Sequence, residues 1–171
     1  MIIYKDIITG DEILSSAYDP ELVDDIMYRA ECGYITEGSV SVNTGANASA
    51  EEAEEALDDG AARVMDVVNS FRLEKTEFDK KSYLTSLKAY MKSVKAALQE
   101  KGASPEEVTA FEKGAQAYVK NTLLKLDFSN LDFYTGESMN PDGMVVIIEW
   151  YDDGAKSRLL VWKHGVSEMK V

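Results

Sequence analysis

Cysteine and histidine are almost absent from this chain of 171 residues: Cys32 and His164 are the only ones of their kind. A single cysteine cannot form an internal disulfide, and one of each cannot assemble a structural Cys/His zinc cluster. Nucleophilic catalysis of the Ser/His/Asp or Cys/His kind is equally disfavoured, because it would have to be built around His164 in the turn signal Lys163-His164-Gly165. His164 is expected as an exposed turn residue. Long apolar runs are missing too, and nothing approaches the roughly 18 residues of a membrane-spanning helix. The opening MIIYKDIITGDE meets Lys5, Asp6, Asp11 and Glu12 before any apolar signal core can form, so the expected location is the cytoplasm. In that location the tripeptide Asn47-Ala48-Ser49 matches the glycosylation sequon only by accident.

Positive charge is also scarce: 18 Lys and Arg stand against 31 Asp and Glu, a formal net charge of −13. Such a balance keeps a protein soluble and disfavours unassisted binding to DNA, other nucleic acid or anionic membranes. The average hides a division. Residues 79 to 125 hold nine lysines against Asp79, Glu100, Glu106, Glu107 and Glu112, a net of +4, so the rest of the chain carries −17. At the other extreme, residues 44–60, TGANASAEEAEEALDDG, have six carboxylates and no lysine or arginine. Glu51, Glu54, Glu55 and Asp58 are spaced by three and four and would share one face of a helix, attracting calcium weakly. The DxDxDG loop with its terminal glutamate is missing, which rules out an EF-hand. Composition favours a solvated, mobile insertion.

What is present suffices for one domain with a real core, since 45% of the residues are apolar and 9% aromatic. Short strand-like pieces, MIIY, EILSSAY, IMYRA and SVSV, fill the first third, separated by the turn signals Thr9-Gly10-Asp11 and Asp19-Pro20. Arg63 to Leu73 reads as a longer strand, with helix as the competing reading for its first half. From Asp79 to Lys101 the period changes to 3.6. Tyr83, Leu87, Tyr90, Met91, Val94 and Leu98 share a face, Asp79 stands at the N-cap and Gly102 just past the end. A second helix opens at Ser104-Pro105-Glu106-Glu107, a capping box with proline at the first helical position. Its apolar stripe runs Val108, Phe111, Ala115, Tyr118, Val119, Thr122 and Leu126, and Gly114 is expected to mark a close helix approach. With only Gly102-Ala103 between them, the two helices must fold back as an antiparallel hairpin. The last third returns to strands as a meander, LDFYTG, MVVIIEWY, SRLLVWK and VSEMKV, with Met144 to Ile148 the most buried. The order predicts an α+β domain whose helical pair projects from or packs beside a largely antiparallel sheet.

Lys81, Lys88, Lys92 and Lys95 lie within about 60° of one another on a helical wheel and well away from the apolar face. A solvated face accounts for such a stripe. Like charges at this spacing nevertheless repel, few glutamates on the helix relieve them, and an acidic partner would. Between two strands, Asn140-Pro141-Asp142-Gly143 is a strong turn signal. Glu137 and Asp142 beside it suggest an acid/base pair, but no nucleophile or metal cluster accompanies them, and no catalysis is expected.

Several segments together carry a family resemblance. TGANASAEEAEE at 44 to 55, the segment FYTGESMNPDGMVVIIEW from Phe133 to Trp150, the opening MIIYKDIITGDEILSSAYD and the helix FDKKSYLTSLKAYMKSVKAALQE are all similar to the translationally controlled tumour protein family, also called histamine-releasing factor. The resemblance covers essentially the whole chain. It implies a β-tent fold of the α+β class, in which a twisted, mostly antiparallel sheet carries a helical hairpin at 79–126 and a mobile acidic loop at 38–62, all within one domain over 1–171. Rab-binding Mss-type zinc proteins and methionine-R-sulfoxide reductases share that architecture. Their Cys-x-x-Cys pairs are absent here, so neither the zinc site nor reductase catalysis carries over.

The family's reported activities are binding ones. The resemblance implies a non-enzymatic, cytoplasmic regulatory protein without a cofactor, whose partners are translation elongation factors, the ribosome, and tubulin or microtubules, with weak calcium binding, a cytoskeletal association and protection from cell death. Lys81, Lys88, Lys92 and Lys95 match the family's basic hairpin region, to which tubulin contacts are attributed. Glu12, in Thr9-Gly10-Asp11-Glu12, matches the glutamate implicated in contact with a Ras-like small GTPase, which gives the alternative of an exchange factor or GTPase chaperone. Some members end in a cysteine proposed to link dimers, where this chain has Lys170-Val171. The expectation is a monomer, with Cys32 a packed, inert thiol.

Overall fold

The two most apolar segments of the sequence become neighbouring strands at the centre of a sheet. The computed structural model describes residues 1–36 and 63–171; the expected strand SVSV, the acidic stretch with Glu51, Glu54, Glu55 and Asp58, and the sequon lie outside the described residues. The described strands are β1 (Ile2–Asp6), β2 (Glu12–Ser15), β3 (Glu21–Val23), β4 (Met27–Cys32), β5 (Tyr34–Thr36), β6 (Arg63–Met65), β7 (Glu74–Thr76), β8 (Leu131–Thr135), β9 (Val146–Tyr151), β10 (Lys156–Trp162) and β11 (Val166–Lys170). Helices are α1 (Asp66–Phe71), α2 (Lys80–Glu100) and α3 (Pro105–Asn121). Six strands form one antiparallel sheet in the order β3-β4-β10-β9-β8-β7, and two further sheets have the orders β11-β1-β2 and β5-β6.

β9 and β10 sit in the middle of the larger sheet, and Val146, Ile147, Ile148, Leu159, Leu160 and Val161 are all buried. Side chains pointing to both faces are covered, which is why these strands read as continuous apolar runs rather than alternations. Each such burial contributes about 1.5 to 3 kcal/mol. Between them Asp152, Asp153 and Gly154 take successive left-handed conformations (φ 55°, 55° and 82°), a role that aspartate and glycine tolerate best. At the edges, β3 and β7 escaped the sequence reading. Both are only three residues long, and β7 carries two charges in three residues, as edge strands that resist further pairing tend to be.

The structure corrects several expectations. Only Arg63–Met65 of the long strand expected over 63–73 is extended; Asp66–Phe71 is helix α1, which begins within the first half of the segment, where helix was the competing reading, and runs on into the second. Asp66 begins it by accepting from the backbone N–H groups of Val67 (2.7 Å) and Gly33 (3.0 Å), and Val67 and Phe71, four apart, turn to the core. EILSSAY is strand only to Ser15, after which Ser16–Tyr18 forms a 3-10 turn. The terminal strand β11 leaves the meander to pair with β1, joining the two ends of the chain in a second sheet. Its separation follows from the 3-10 turn at Lys163–Gly165, which redirects the backbone after β10.

Both helices begin at the expected N-caps, Asp79 and Ser104, but the reciprocal capping box forms at Asp79 and not at Ser104, where only the serine's half is made. The Asp79 carboxylate accepts from the Ser82 N–H at 2.7 Å while the Ser82 hydroxyl accepts from the Asp79 N–H at 2.9 Å, closing a capping box. The Ser104 hydroxyl accepts from the Glu107 N–H at 3.2 Å, with Pro105 at the first helical position. Gly102, at φ 83°, lets the chain reverse between the helices. Their inner faces lie on the sheets: Tyr83 stacks on Phe133 (5.2 Å between ring centres) and Tyr118 meets Trp162 edge-on at 5.7 Å. Gly165 is required where α2 crosses the turn before β11, because a Cβ there would overlap the Tyr90 hydroxyl and the Met144 methyl. Gly114 faces Ile26, ahead of β4, rather than α2; a Cβ on it would stand 3.4 Å from the Ile26 Cδ1. The α-helix also ends before its apolar stripe does. Thr122 leaves helical geometry and Leu123–Lys125 tightens into a 3-10 turn that buries Leu123 completely.

Candidate functional site: a lysine-rimmed groove and an acidic corner

Helix α2 has two working faces. Tyr83, Leu87, Tyr90 and Val94 are buried, while Lys81, Lys88 and Lys92 are exposed on the other side and Lys95 is partly so. Between α2 and α3 runs a groove of about 760 Å³ whose floor comes from Leu84, Leu87 and Met91 on one side and Phe111, Ala115 and Val119 on the other. Lys88, Lys92 and Lys95 form its α2 rim, and Glu112, Gln116 and Lys120 its α3 rim. Three of the four lysines therefore border apolar surface instead of standing well away from it. The reason is the width of the apolar arc: Leu84 and Met91 extend it beyond the buried face, and Lys88 and Lys95, each four residues on, are offset from them by only about 40°. Lys81 does not line the groove; it stands in the first turn of α2.

One cross-link spans the groove. The Lys95 ammonium lies 3.0 Å from the Glu112 carboxylate, each side chain about two-fifths exposed (43% and 40%), so part of the repulsion along the stripe is relieved by α3. An exposed pair of this kind contributes less than about 1 kcal/mol. Among the described residues, no carboxylate lies within 4.0 Å of the ammonium groups of Lys81, Lys88, Lys92 or Lys120. Sequence reading missed Lys120, although Glu112, Gln116 and Lys120 repeat at four-residue spacing directly beside Phe111, Ala115 and Val119. It also missed Lys80, whose ammonium donates to the Leu124 carbonyl at 3.2 Å and lies 5.9 Å from the centre of the Phe128 ring, tying the start of α2 to the segment after α3.

Glu12 occupies a different place, exposed at the first position of β2 and opposite Lys5 in register. Among the described residues its carboxylate has no hydrogen-bond or ion-pair partner. The surrounding loops are strongly held. Asp6 is buried and accepts from the N–H of Ile8 through one oxygen and of Met144 through the other, both at 2.8 Å. Asp11 accepts from the Ser138 hydroxyl at 2.6 Å and its N–H at 3.3 Å. The turn before β2 is thus fastened to the loop between β8 and β9. In that loop Asn140 to Gly143 turns as expected, the Gly143 N–H donating to the Asn140 carbonyl at 3.1 Å. Glu137 does not work with Asp142: it pairs with Arg72 at 3.0 Å, while the Asp142 N–H closes its own turn on the Asn140 side chain.

Cys32 and His164 are packed into the fold. Burial, then the nearby Asp66 carboxylate, pushes the half-buried Cys32 thiol up to about 12, which keeps it protonated and inert at neutral pH. His164 is not an exposed turn residue; it is half-buried with its ring 4.9 Å from that of Phe111, and its buried Nδ1 has no protein partner among the described residues. Burial, reinforced by Lys163, holds its pKa below the ordinary value. Among the described residues no three His, Cys, Asp or Glu side chains converge as a metal site, and no described helix is long and apolar enough to cross a membrane.

Comparison with known proteins places this architecture. The family model for translationally controlled tumour protein matches residues 1–167. The chain belongs to the translationally controlled tumour protein family. Relatives named as homologues of that protein are 57% identical in Gibberella zeae, 58% in Neurospora crassa and 52% in Saccharomyces cerevisiae, each over 171 residues and the full length of both chains. Among solved structures, the chain resembles the translationally controlled tumour-associated protein p23fyp of Schizosaccharomyces pombe, with a TM-score of 0.76, 47% identity and complete coverage of both chains. It also resembles the family member of Caenorhabditis elegans, with a TM-score of 0.69 and 34% identity over 100% of this chain and 99% of that one. The α+β fold with open, mostly antiparallel sheets and a helical hairpin is the fold of this family. The segment Phe133 to Trp150 runs from within β8, through the loop fastened to Asp11, into β9.

Proposed function

We propose that this family member is a non-enzymatic regulatory protein with several partners, acting in protein synthesis through elongation factors and the ribosome, and binding and stabilising microtubules. The observation that carries the reading is the outer face of the hairpin. Lys81, Lys88 and Lys92 are exposed there with no described carboxylate within 4.0 Å, on a chain whose net charge is −13. A cationic face on an anionic body is selective: it attracts flexible acidic segments such as tubulin tails at short range, while the rest of the surface repels extended polyanions. The test is co-sedimentation with microtubules over a range of salt. Lys81→Glu, Lys88→Glu and Lys92→Glu together should abolish it while leaving the unfolding midpoint unchanged; retention of binding would remove the assignment.

Glu12 supports a second reading, contact with a Ras-like small GTPase, because its carboxylate is exposed and without a described partner on a corner that hydrogen bonds hold in place. Such a carboxylate competes for a phosphate-binding lysine or for Mg²⁺ and so loosens nucleotide. Glu12→Lys should slow nucleotide release from the GTPase and leave microtubule binding intact. Equal release rates with the wild type and the variant would discard this reading.

A further inference from the structure

We infer that the groove between α2 and α3 receives an amphipathic helix of a partner protein, one whose apolar stripe is flanked by carboxylates. This deepens the proposed reading of the lysine rim as a contact for acidic partners, and rests on it. The groove has more than charge. Leu84, Met91, Val119 and Leu124 are only partly buried and line one continuous trough, which an acidic tail in solvent would leave uncovered. The floor is also laid out for a helix. Leu84, Leu87 and Met91 stand at i, i+3 and i+7 on α2, and Phe111, Ala115 and Val119 at i, i+4 and i+8 on α3, so each wall is a ridge of the kind that packs against a third helix.

Length and charge narrow the occupant. From Leu84 to Lys95 the trough is about 16 Å long at 1.5 Å per residue, which suits roughly three helical turns carrying apolar anchors at i, i+3 or i+4, and i+7. Lys95 is already paired with Glu112 at the end near the helix connection, whereas Lys88, Lys92 and Lys120 have no carboxylate within 4.0 Å among the described residues. The occupant's carboxylates are therefore expected towards the Leu84 and Leu124 end, on both flanks of its stripe. A bilayer fits poorly, because the trough is concave and the body around it is acidic.

The test uses the full chain and three fluorescein-labelled probes: a helix-forming peptide of about eleven residues with apolar residues at i, i+3, i+4 and i+7 and glutamates beside them, a scrambled peptide of the same composition, and polyglutamate. Fluorescence anisotropy should show the patterned peptide binding at least about tenfold more tightly than the scrambled one, the scale set by one buried anchor. Met91→Asp and, independently, Val119→Asp should erase that preference and leave weak, salt-sensitive binding, while Met91→Leu keeps it. Circular dichroism verifies that each variant is folded, and the two substitutions on opposite walls guard against a local collapse. Equal binding of all three probes would overturn the helix docking and leave the lysine rim as a charged face, still testable by microtubule co-sedimentation. Two other results would also overturn it: sodium oleate binding while the patterned peptide does not, or a dimer in sedimentation equilibrium that Met91→Asp dissociates.

Discussion

The hairpin groove and the Glu12 corner differ in how their functional groups are held. On the hairpin, Lys81, Lys88 and Lys92 are exposed on flexible stems, the latter two at the rim of the apolar groove, and none of the three has a carboxylate within 4.0 Å among the described residues; the Lys95–Glu112 ion pair across the groove is partly exposed. At the corner, the groups around Glu12 are bound into the structure: Asp6 is buried with two backbone donors, Asp11 holds Ser138, and Glu137 holds Arg72. Binding and folding are therefore separable on the hairpin's outer face and entangled around Glu12, where only Glu12 itself is free to change.

The sharpest contrast is expected from Asp6→Ala. Removing the carboxylate leaves the N–H groups of Ile8, partly buried, and Met144, buried, without their acceptor, a loss of about 3 kcal/mol for the two bonds. Urea unfolding measures it. On the hairpin, the triple lysine reversal should stay within about 0.5 kcal/mol of wild type, as surface substitutions do. A fall of under about 1 kcal/mol for Asp6→Ala would mean that the corner is not braced as its geometry indicates.

The inner side of the hairpin should respond to pH through His164. Its folded pKa lies below the ordinary 6.5, first because of burial and then because of Lys163, with Asp25 and Glu107 opposing. As pH falls through 6.5 the unfolded chain takes up the proton before the folded one does. Stability should therefore decrease with falling pH until the folded pKa is passed, with a slope from this group of at most about 1.4 kcal/mol per pH unit. The difference between wild type and His164→Gln in urea midpoint, followed from about pH 7.5 to about 5.5, isolates the effect from the carboxylates. Parallel curves would show that His164 does not titrate differently on folding.

Much of this was readable where one periodicity dominated. The 3.6-residue pattern and caps placed α2 and α3, and the apolar run from Met144 to Ile148 identified the middle of the larger sheet. Legibility failed where tertiary partners decide. Val67 and Phe71 suit a strand as well as a helix, until Asp66 finds Val67 and Gly33 to bind. VSEMKV alternates like a further meander strand, yet its hydrogen bonds go to β1, at the far end of the sequence. His164 looked exposed because its neighbours are Lys163 and Gly165, and nothing local shows that Phe111 will cover it. The lysine stripe was found, but its relation to the groove depends on α3, which a wheel drawn for α2 alone does not contain.

Two smaller effects test the comparison from each side. Ser138→Ala removes the 2.6 Å bond to Asp11 from an exposed loop and should destabilise the protein by about 1 kcal/mol in urea unfolding. It should also weaken any nucleotide-release activity that depends on Glu12, since Asp11 is the adjacent residue; unchanged stability would show that the loops hold without it.

The least effect is expected from the cross-groove pair, and its smallness is informative. A double-mutant cycle on Lys95→Ala and Glu112→Ala should give a coupling of no more than about 0.5 kcal/mol, because both side chains are about two-fifths exposed and solvent screens them. The coupling should fall further in about 1 M salt, where the Debye length is near 3 Å. If the groove is kept open for a ligand, the pair that spans it must be easy to give up. A coupling above about 1.5 kcal/mol, beyond the range that exposed pairs supply, would instead make Lys95 and Glu112 a structural clasp, and would move the hairpin face into the same class as the Glu12 corner.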